Sequence, residues 1–220
     1  MNGFRACAGQ HSIEDGAADG DLRLLLERGI VVSYETIRCW AKKFGSDYAA
    51  RLRRKAPNPK DVWHLDDVVV TIGGRKYWLW RAVDQDGYVL DEIVQTRRNT
   101  KAARRLLIRL MKKQGCLPKR IVTDKLGSYG AARLQVMPAV EPRSHKGLNN
   151  RAENPHLPLR KRKRVMQRFR SSGALQRFAS IFSAVRNPFV PARSKHSAIA
   201  VHLPRLGAMA HWKAVTGTAA

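Results

Sequence analysis

A mixed α/β or α+β domain is predicted by this sequence, and three observations carry the prediction. Three β-rich runs fall in one stretch, WHLDDVVVTIGGRKYWLWRAVDQDGYVLDEIVQTRR, with Gly73–Gly74 and Asp86–Gly87 placed as turns between them. An amphipathic helix follows over residues 100–114, TKAARRLLIRLMKKQ. A further apolar run, CLPKRIVTD, comes after it. Two tight turns make the first three strands antiparallel, and the intervening helix makes the fourth parallel to the first. That succession argues against a barrel or a helical bundle.

Each element has a local reason. Residues 1–20 are small, polar and aperiodic, and are expected to be poorly ordered. DLRLLLERGI predicts a short helix capped by Asp21 and ended by Gly29. VVSYETIRCWAKKFG predicts a second, with Ser33 as N-cap and Glu35 in the first turn. Ile37, Trp40, Ala41 and Phe44 form an apolar stripe, with Arg38, Lys42 and Lys43 largely off it. The pair over residues 21–50 reads as a helix-turn-helix-type segment whose Arg38, Lys42 and Lys43 meet DNA, or more plainly as a helical hairpin. RLRRKAPNPKD, residues 51–61, reads as a basic linker with two prolines. In the 100–114 helix, Ala103, Leu106, Leu107, Leu110 and Met111 are the buried set, and Arg104, Arg105, Arg109 and Lys112 point elsewhere. Trp63, Trp78 and Trp80 are read as core and strand aromatics, and His64 as a structural histidine.

Charge narrows the partner. The 220 residues hold 42 Lys and Arg against 17 Asp and Glu, a net +25, while 44% are hydrophobic. A chain apolar enough to fold and this basic calls for a polyanion, and nucleic acid fits better than an anionic membrane. Cys7, Cys39 and Cys116 are odd in number and widely spaced, which supports neither a zinc site nor a disulfide framework. No run reaches the ~20 apolar residues of a membrane span, and no signal peptide is evident. A cytoplasmic, nucleoid-associated location is expected.

Three carboxylates stand out. Asp66 lies in the first strand and Asp124 ends the fourth, so neighbouring strands bring them to one edge of the sheet. Glu153, in LNNRAENPH, precedes a basic segment that reads as helical. Clustered carboxylates repel one another and suit a hard cation such as Mg²⁺ or Mn²⁺. Two such ions ~3.5–4 Å apart serve in-line phosphoryl transfer. With 17 acidic residues, some Asp–Asp–Glu triple arises in any chain of this kind, so the settings must make it specific.

Those settings are WHLDDV, YWLWRAVDQDG, VTDKLGSYG and LNNRAEN, with VSYETIRCWAKKFG ahead of them. In that order they resemble the DDE transposases of the insertion sequence 6 family, from Asp21 to Phe189. The resemblance implies an α/β, ribonuclease H-like catalytic domain over residues 62–190, with a mixed five-stranded sheet flanked by helices. A partly helical tail over 191–220 would follow it. Asp66, Asp124 and Glu153 would be the catalytic residues and the ligands of Mg²⁺ or Mn²⁺, as two ions. The family's basic residue seven positions after its glutamate falls on Arg160, two turns along a helix from Glu153. Lys125 matches the lysine of the family's TDK block and would touch phosphate, or be a solvated strand-end lysine. Asp67 competes with Asp66 for the first ligand position; alternation does not decide, because a central strand is covered on both faces. The family's acid after its catalytic aspartate favours Asp66. The basic run from Arg160 to Arg170, including Lys161, Arg162, Lys163 and Arg164, would bind the phosphate backbone.

The function implied is cleavage at transposon ends and strand transfer into target DNA, by at least a homodimer on double-stranded DNA carrying terminal inverted repeats. No membrane or small-molecule substrate is implied. The sequence departs from the family at residues 1–20, at Pro155, in the 29 positions from Asp124 to Glu153, and at Pro204, which is expected to interrupt a C-terminal helix. Those departures leave a second reading, a catalytically impaired remnant that only binds DNA or represses. A ribonuclease H acting on RNA–DNA hybrids is a third, against which the N-terminal helices and the family blocks argue.

Overall fold

Strand-forming residues dominate the stretch from Val62 to Gln95, and there the chain forms β1 (Val62–Ile72), β2 (Arg75–Val83) and β3 (Val89–Gln95). The structure, a computed structural model, describes residues 31–52, 56–124, 127–144, 169–190 and 197–216. Before the strands lies α1 (Tyr34–Arg51). After them come α2 (Thr100–Gln114), β4 (Arg120–Thr123), α3 (Gly127–Val136), β5 (Glu141–Ser144), α4 (Ser172–Arg186), a 3₁₀ turn (Asn187–Phe189) and α5 (Ala198–Thr216).

One five-stranded sheet in the order β3-β2-β1-β4-β5 organises these elements. β1, β2 and β3 form an antiparallel meander, and β4 pairs parallel with β1 and β5 with β4. Both turns of the meander are where the glycines predict them. Gly73, Gly74 and Gly87 take positive φ (54°, 76° and 87°), which a Cβ would disfavour. Asp84 adds to the second turn, since its side chain accepts from the backbone N–H groups of Asp86 and Tyr88, each at 2.9 Å. A mixed five-stranded sheet flanked by helices is the arrangement that the family resemblance implies.

Alternation along β1 divides the core between the two faces of the sheet. Trp63 and Leu65 pack with Trp80, Ala82 and Leu90 against α2 residues Ala103, Leu106, Leu107 and Leu110 and α3 residues Tyr129 and Ala132. Val70 and Ile72 pack with Leu79 on the other face, against Leu175 and Ala179 of α4 and against Phe169. α2 spans the residues its apolar period predicts, with Arg104, Arg105, Arg109 and Lys112 exposed and Met111 half-buried. Asn99 caps it by accepting from Ala102 N at 3.0 Å, and Gly115 ends it at φ 67°.

β3 is an edge strand whose unpaired backbone groups would invite another chain. α4 and the following turn occupy that edge with side-chain amides. Gln176 accepts from Val94 N (2.8 Å) and donates to the Glu92 carbonyl (3.1 Å), while Asn187 accepts from Val89 N (3.0 Å) and donates to the Val89 carbonyl (2.9 Å). Two amides thus do part of the work of a sixth strand.

The chain falls into two compact units, Met1–Ala41 and Lys42–Ala220. In the first, Ser33 caps α1 as predicted, accepting from Thr36 N at 3.2 Å. The segment DLRLLLERGI lies outside the described residues, so the predicted helix pair is represented here by α1 alone. On α1, Trp40 and Phe44 of the apolar stripe are 44% and 40% exposed. One expectation needs correction: Pro204 does not interrupt α5, which runs through it. Pro204 is exposed, so water can reach the backbone on that side of the helix, where the proline removes a donor. No helix among the described residues is long and apolar enough to cross a membrane.

Candidate metal centre

Register builds the site. Leu65 of β1 pairs with Thr123, the last residue of parallel β4, so the next residues along each strand, Asp66 and Asp124, are set side by side at the carboxyl ends of the parallel pair. Asp124 is thus the first residue beyond β4 rather than part of it. Asp67 joins the pair: each of the three carboxylates offers an oxygen, and these oxygens lie within 4.8 Å of one another. The donor set is three hard carboxylate oxygens at partly buried positions, which fits a divalent cation of the Mg²⁺ class and not a thiophilic metal.

Arg98 sits across the cluster. Its Nε donates to Asp67 Oδ2 at 2.7 Å, and its Nη2 lies 3.4 Å from Asp67 Oδ1 and 3.7 Å from Asp124 Oδ2. The Asp67 side chain is 1% exposed and that of Arg98 41%, so a buried acid is met by a cation at the rim. Burial is the main influence on Asp67 and raises its pKa from the ordinary carboxylate value; the Arg98 hydrogen bond and charge oppose it, and Asp124 and Asp66 add to it. Arg98, for its part, is held more firmly protonated, first by its hydrogen bond to Asp67. Tyr129 closes the floor beneath. It is 1% exposed, packs edge-on against Trp80 at 5.2 Å between ring centroids, and its hydroxyl has no hydrogen-bond partner among the described residues. Burial first, then the negative charge of Asp67, Asp66 and Asp124, pushes its pKa well above the ordinary phenol value.

The opposite face carries a second charged group. Arg81 is the cross-strand partner of Asp66 and pairs in turn with Glu92 of β3. Its Nη2 and Nε donate to Glu92 Oε2 at 2.7 and 3.0 Å, with the two side chains 1% and 3% exposed. Arg186 of α4 comes close enough for its pKa to be lowered, by burial first and by the Arg81 charge second.

The predicted site residues divide clearly. Asp66 and Asp124 are brought together. Glu153, Lys125, Arg160, Lys161, Arg162, Lys163 and Arg164 lie outside the described residues. Arg38, Lys42 and Lys43 are on α1, where Lys42 and Lys43 are exposed and the Lys43 ammonium stands 5.1 Å from the Phe44 ring centroid. His64 and Trp63 are buried, in keeping with structural roles. Sequence reasoning missed Arg98, Tyr129 and the Arg81–Glu92 pair. Arg98 had one signal: it immediately precedes Asn99, the cap of a helix whose start was readable.

A family model described as a DDE domain, of the IS240 transposase type, matches residues 60–190. The transposase for insertion sequence-like element IS431mec of Staphylococcus aureus strain Mu50 is 29% identical over 145 residues, covering 64% of this chain and 64% of that protein. The transposase for insertion sequence element IS257 in transposon Tn4003 of Staphylococcus aureus is 28% identical over the same length and shares. The chain therefore spans 64% of the length of these curated relatives. Among solved structures, similarity extends to the HTLV-2 integrase catalytic core domain in complex with magnesium, at TM-score 0.42 and 16% identity over 61% of this chain and 88% of that one. A chain of the simian T-cell lymphotropic virus intasome in complex with PP2A regulatory subunit B56 gamma gives TM-score 0.45 and 18% identity, over 60% and 50%. With a family match over more than half its length, and with the blocks and sheet that go with it, this chain belongs to the DDE transposases of the insertion sequence 6 family.

Proposed function

We propose that this chain is the catalytic part of a transposase that cuts DNA at transposon ends and joins the freed ends to target DNA. The observation that carries the reading is the parallel register of β1 and β4, which sets Asp66, in the middle of β1, beside Asp124, just beyond the end of β4. The family match over residues 60–190 supports it.

Asp66 and Asp124 would hold the divalent ions, with Glu153 as the third ligand. Two bound ions of the Mg²⁺ class supply Lewis acidity for the attacking and leaving oxygens of an in-line displacement. In the first step a water oxygen bonds to phosphorus at the transposon end. The bond from phosphorus to the 3′ oxygen breaks, leaving a 3′-hydroxyl on the element. In the second step that hydroxyl bonds to a target phosphorus and displaces a target 3′ oxygen, so the number of phosphodiester bonds is conserved. Arg160 and Lys125 would hold the reacting phosphates, and Lys161, Arg162, Lys163 and Arg164 the flanking backbone. On α1, Arg38, Lys42 and Lys43 would also meet DNA. Such contacts are independent of sequence and weaken steeply with salt. Two ends must be joined together, so a homodimer or larger assembly on double-stranded DNA with terminal inverted repeats is part of the reading.

The test is cleavage and strand transfer on labelled DNA carrying the element's own terminal repeats, with and without Mg²⁺. Products that depend on metal and vanish in Asp124→Asn and Glu153→Gln are expected. Full activity in Asp124→Asn would overturn the assignment, and specific binding without products would point to a protein that only binds ends.

A further inference from the structure

α2 departs from what a surface helix needs for its own stability. Its fifteen residues hold six Lys and Arg and no acid, whereas α4, equally long on the other face of the sheet, holds two Arg. Arg109 and Lys113 are engaged with Asp91 of β3. Lys101, Arg104, Arg105 and Lys112 are exposed and take no ion pair among the described residues. Lys101 lies in the first turn, where the helix dipole is already positive and no acid offsets it. Arg105 stands one turn further on as a like charge, which disfavours the helix again. An anion lying alongside relieves both repulsions.

The four cations form a stripe with a direction. At 3.6 residues per turn they fall on one side of α2, away from the buried Ala103, Leu106, Leu107 and Leu110. The stripe begins beside the acid cluster: Arg98, one residue before the Asn99 cap, contacts Asp67 at 2.7 Å and Asp124 at 3.7 Å. From Lys101 to Lys112 it runs ~16 Å, the length of about five base pairs at ~3.4 Å each. We infer that this stripe seats target DNA, holding its phosphate backbone next to the metal centre. Cations without interleaved Asn or Gln favour phosphate contacts, which position a duplex without reading its sequence. That suits the duplex whose sequence the reaction leaves open, rather than a transposon end that must be recognised. The inference rests on the function proposed above.

The experiment compares two triple variants of the full chain. Lys101→Gln, Arg104→Gln and Arg105→Gln strip the end of the stripe nearest the acids. Lys60→Gln, Lys119→Gln and Arg177→Gln remove the same charge from exposed positions ahead of β1, ahead of β4 and on α4. Binding to a random-sequence duplex is followed by fluorescence anisotropy as salt is raised, without metal. The stripe variant should reduce the slope of log affinity against log salt by about 2–3, and the control by less than about 1. With Mg²⁺, joining of a precut terminal-repeat end to random-sequence target should fall on the order of tenfold at limiting target and return with excess target. Cleavage of the uncut end should stay within about threefold of the parent. Glutamine supports a helix about as well as Lys or Arg and removes the repulsion, so the stripe variant should melt no lower than the parent. Should it melt lower, Arg105→Gln alone should still reduce the salt slope by about 0.9. An equal drop in slope in both triple variants, or no drop in either, would overturn the inference. Parallel losses of cleavage and joining would overturn it too, since they would put the transposon end on the stripe. If the parent neither cuts nor joins terminal-repeat DNA, the proposed function falls, while the salt slopes still decide whether the stripe holds DNA.

Discussion

Asp66 and Asp67 are adjacent in sequence and belong to different halves of the molecule. Asp66 stands on the α4 face opposite Arg81, whose guanidinium is committed to Glu92 with both partners out of solvent. Asp67 stands on the α2–α3 face above the Trp80–Tyr129 floor and meets an arginine that reaches in from the rim. One face therefore carries a closed ion pair that holds strands together. The other carries a half-open pair that can rearrange beside a metal. A buried pair with no solvent access has no second state to adopt, whereas a rim arginine bonded to one acid and only near another has two. The difference teaches that position on the sheet, more than residue type, decides whether an ion pair is closed off from solvent or open to it.

The largest expected effect lies on the closed side. Arg81→Met leaves Glu92 charged and buried, and Glu92→Gln leaves Arg81 so; either should cost about 3–5 kcal/mol in chemical denaturation. Arg81→Met combined with Glu92→Leu should recover much of that loss, since the pair's contribution over an apolar replacement is small. If the single variants melt like the parent, the pair is not the strand clamp described here.

A smaller effect is expected at the edge that the closed face shares with α4. Gln176→Ala removes the acceptor of Val94 N and the donor to the Glu92 carbonyl, and should cost about 1–3 kcal/mol. Hydrogen exchange should quicken at Val94 ahead of the β1–β2 ladder. Equal exchange in both would mean that β3 is held by packing alone.

The smallest effect belongs to the rim of the sheet. Arg120 donates to Glu141 Oε2 at 3.0 and 2.8 Å between β4 and β5, and this contact, with Arg143 adding less, holds the Glu141 pKa below the ordinary 4.5. A lowered folded-state pKa gives stability that is present above the unfolded value and lost as pH falls through the folded one. Glu141→Gln should therefore lower stability slightly at neutral pH and leave it nearly unchanged in acid, so that the stability–pH curve flattens. A loss confined to acid with no change at neutral pH would contradict this.

Much of this arrangement was legible in the sequence. The two hairpin turns were readable because glycine marks backbone positions that other residues resist, and α2 because its apolar period runs without interruption from Ala103 to Met111. Asp66 and Asp124 were readable through the family blocks, and their juxtaposition followed from a helix crossing between parallel strands. Arg98 was not readable, because its pairing with Asp67 spans 31 positions and exists only once α2 is docked. Alternation also failed to separate Asp66 from Asp67, since helices cover both faces of β1 and each residue sits beside buried neighbours. The stripe on α1 shows a limit of periodicity, which identifies an apolar face but not what covers it.

The most direct test of the central claim is Mg²⁺-dependent cleavage of terminal-repeat DNA by Asp66→Asn and Asp67→Asn side by side, each checked for folding. The account predicts that Asp66→Asn loses cleavage by on the order of a thousandfold or more, as expected for a residue acting as part of a unit, while Asp67→Asn still cuts measurably. Cleavage that survives in Asp66→Asn and disappears in Asp67→Asn would contradict it.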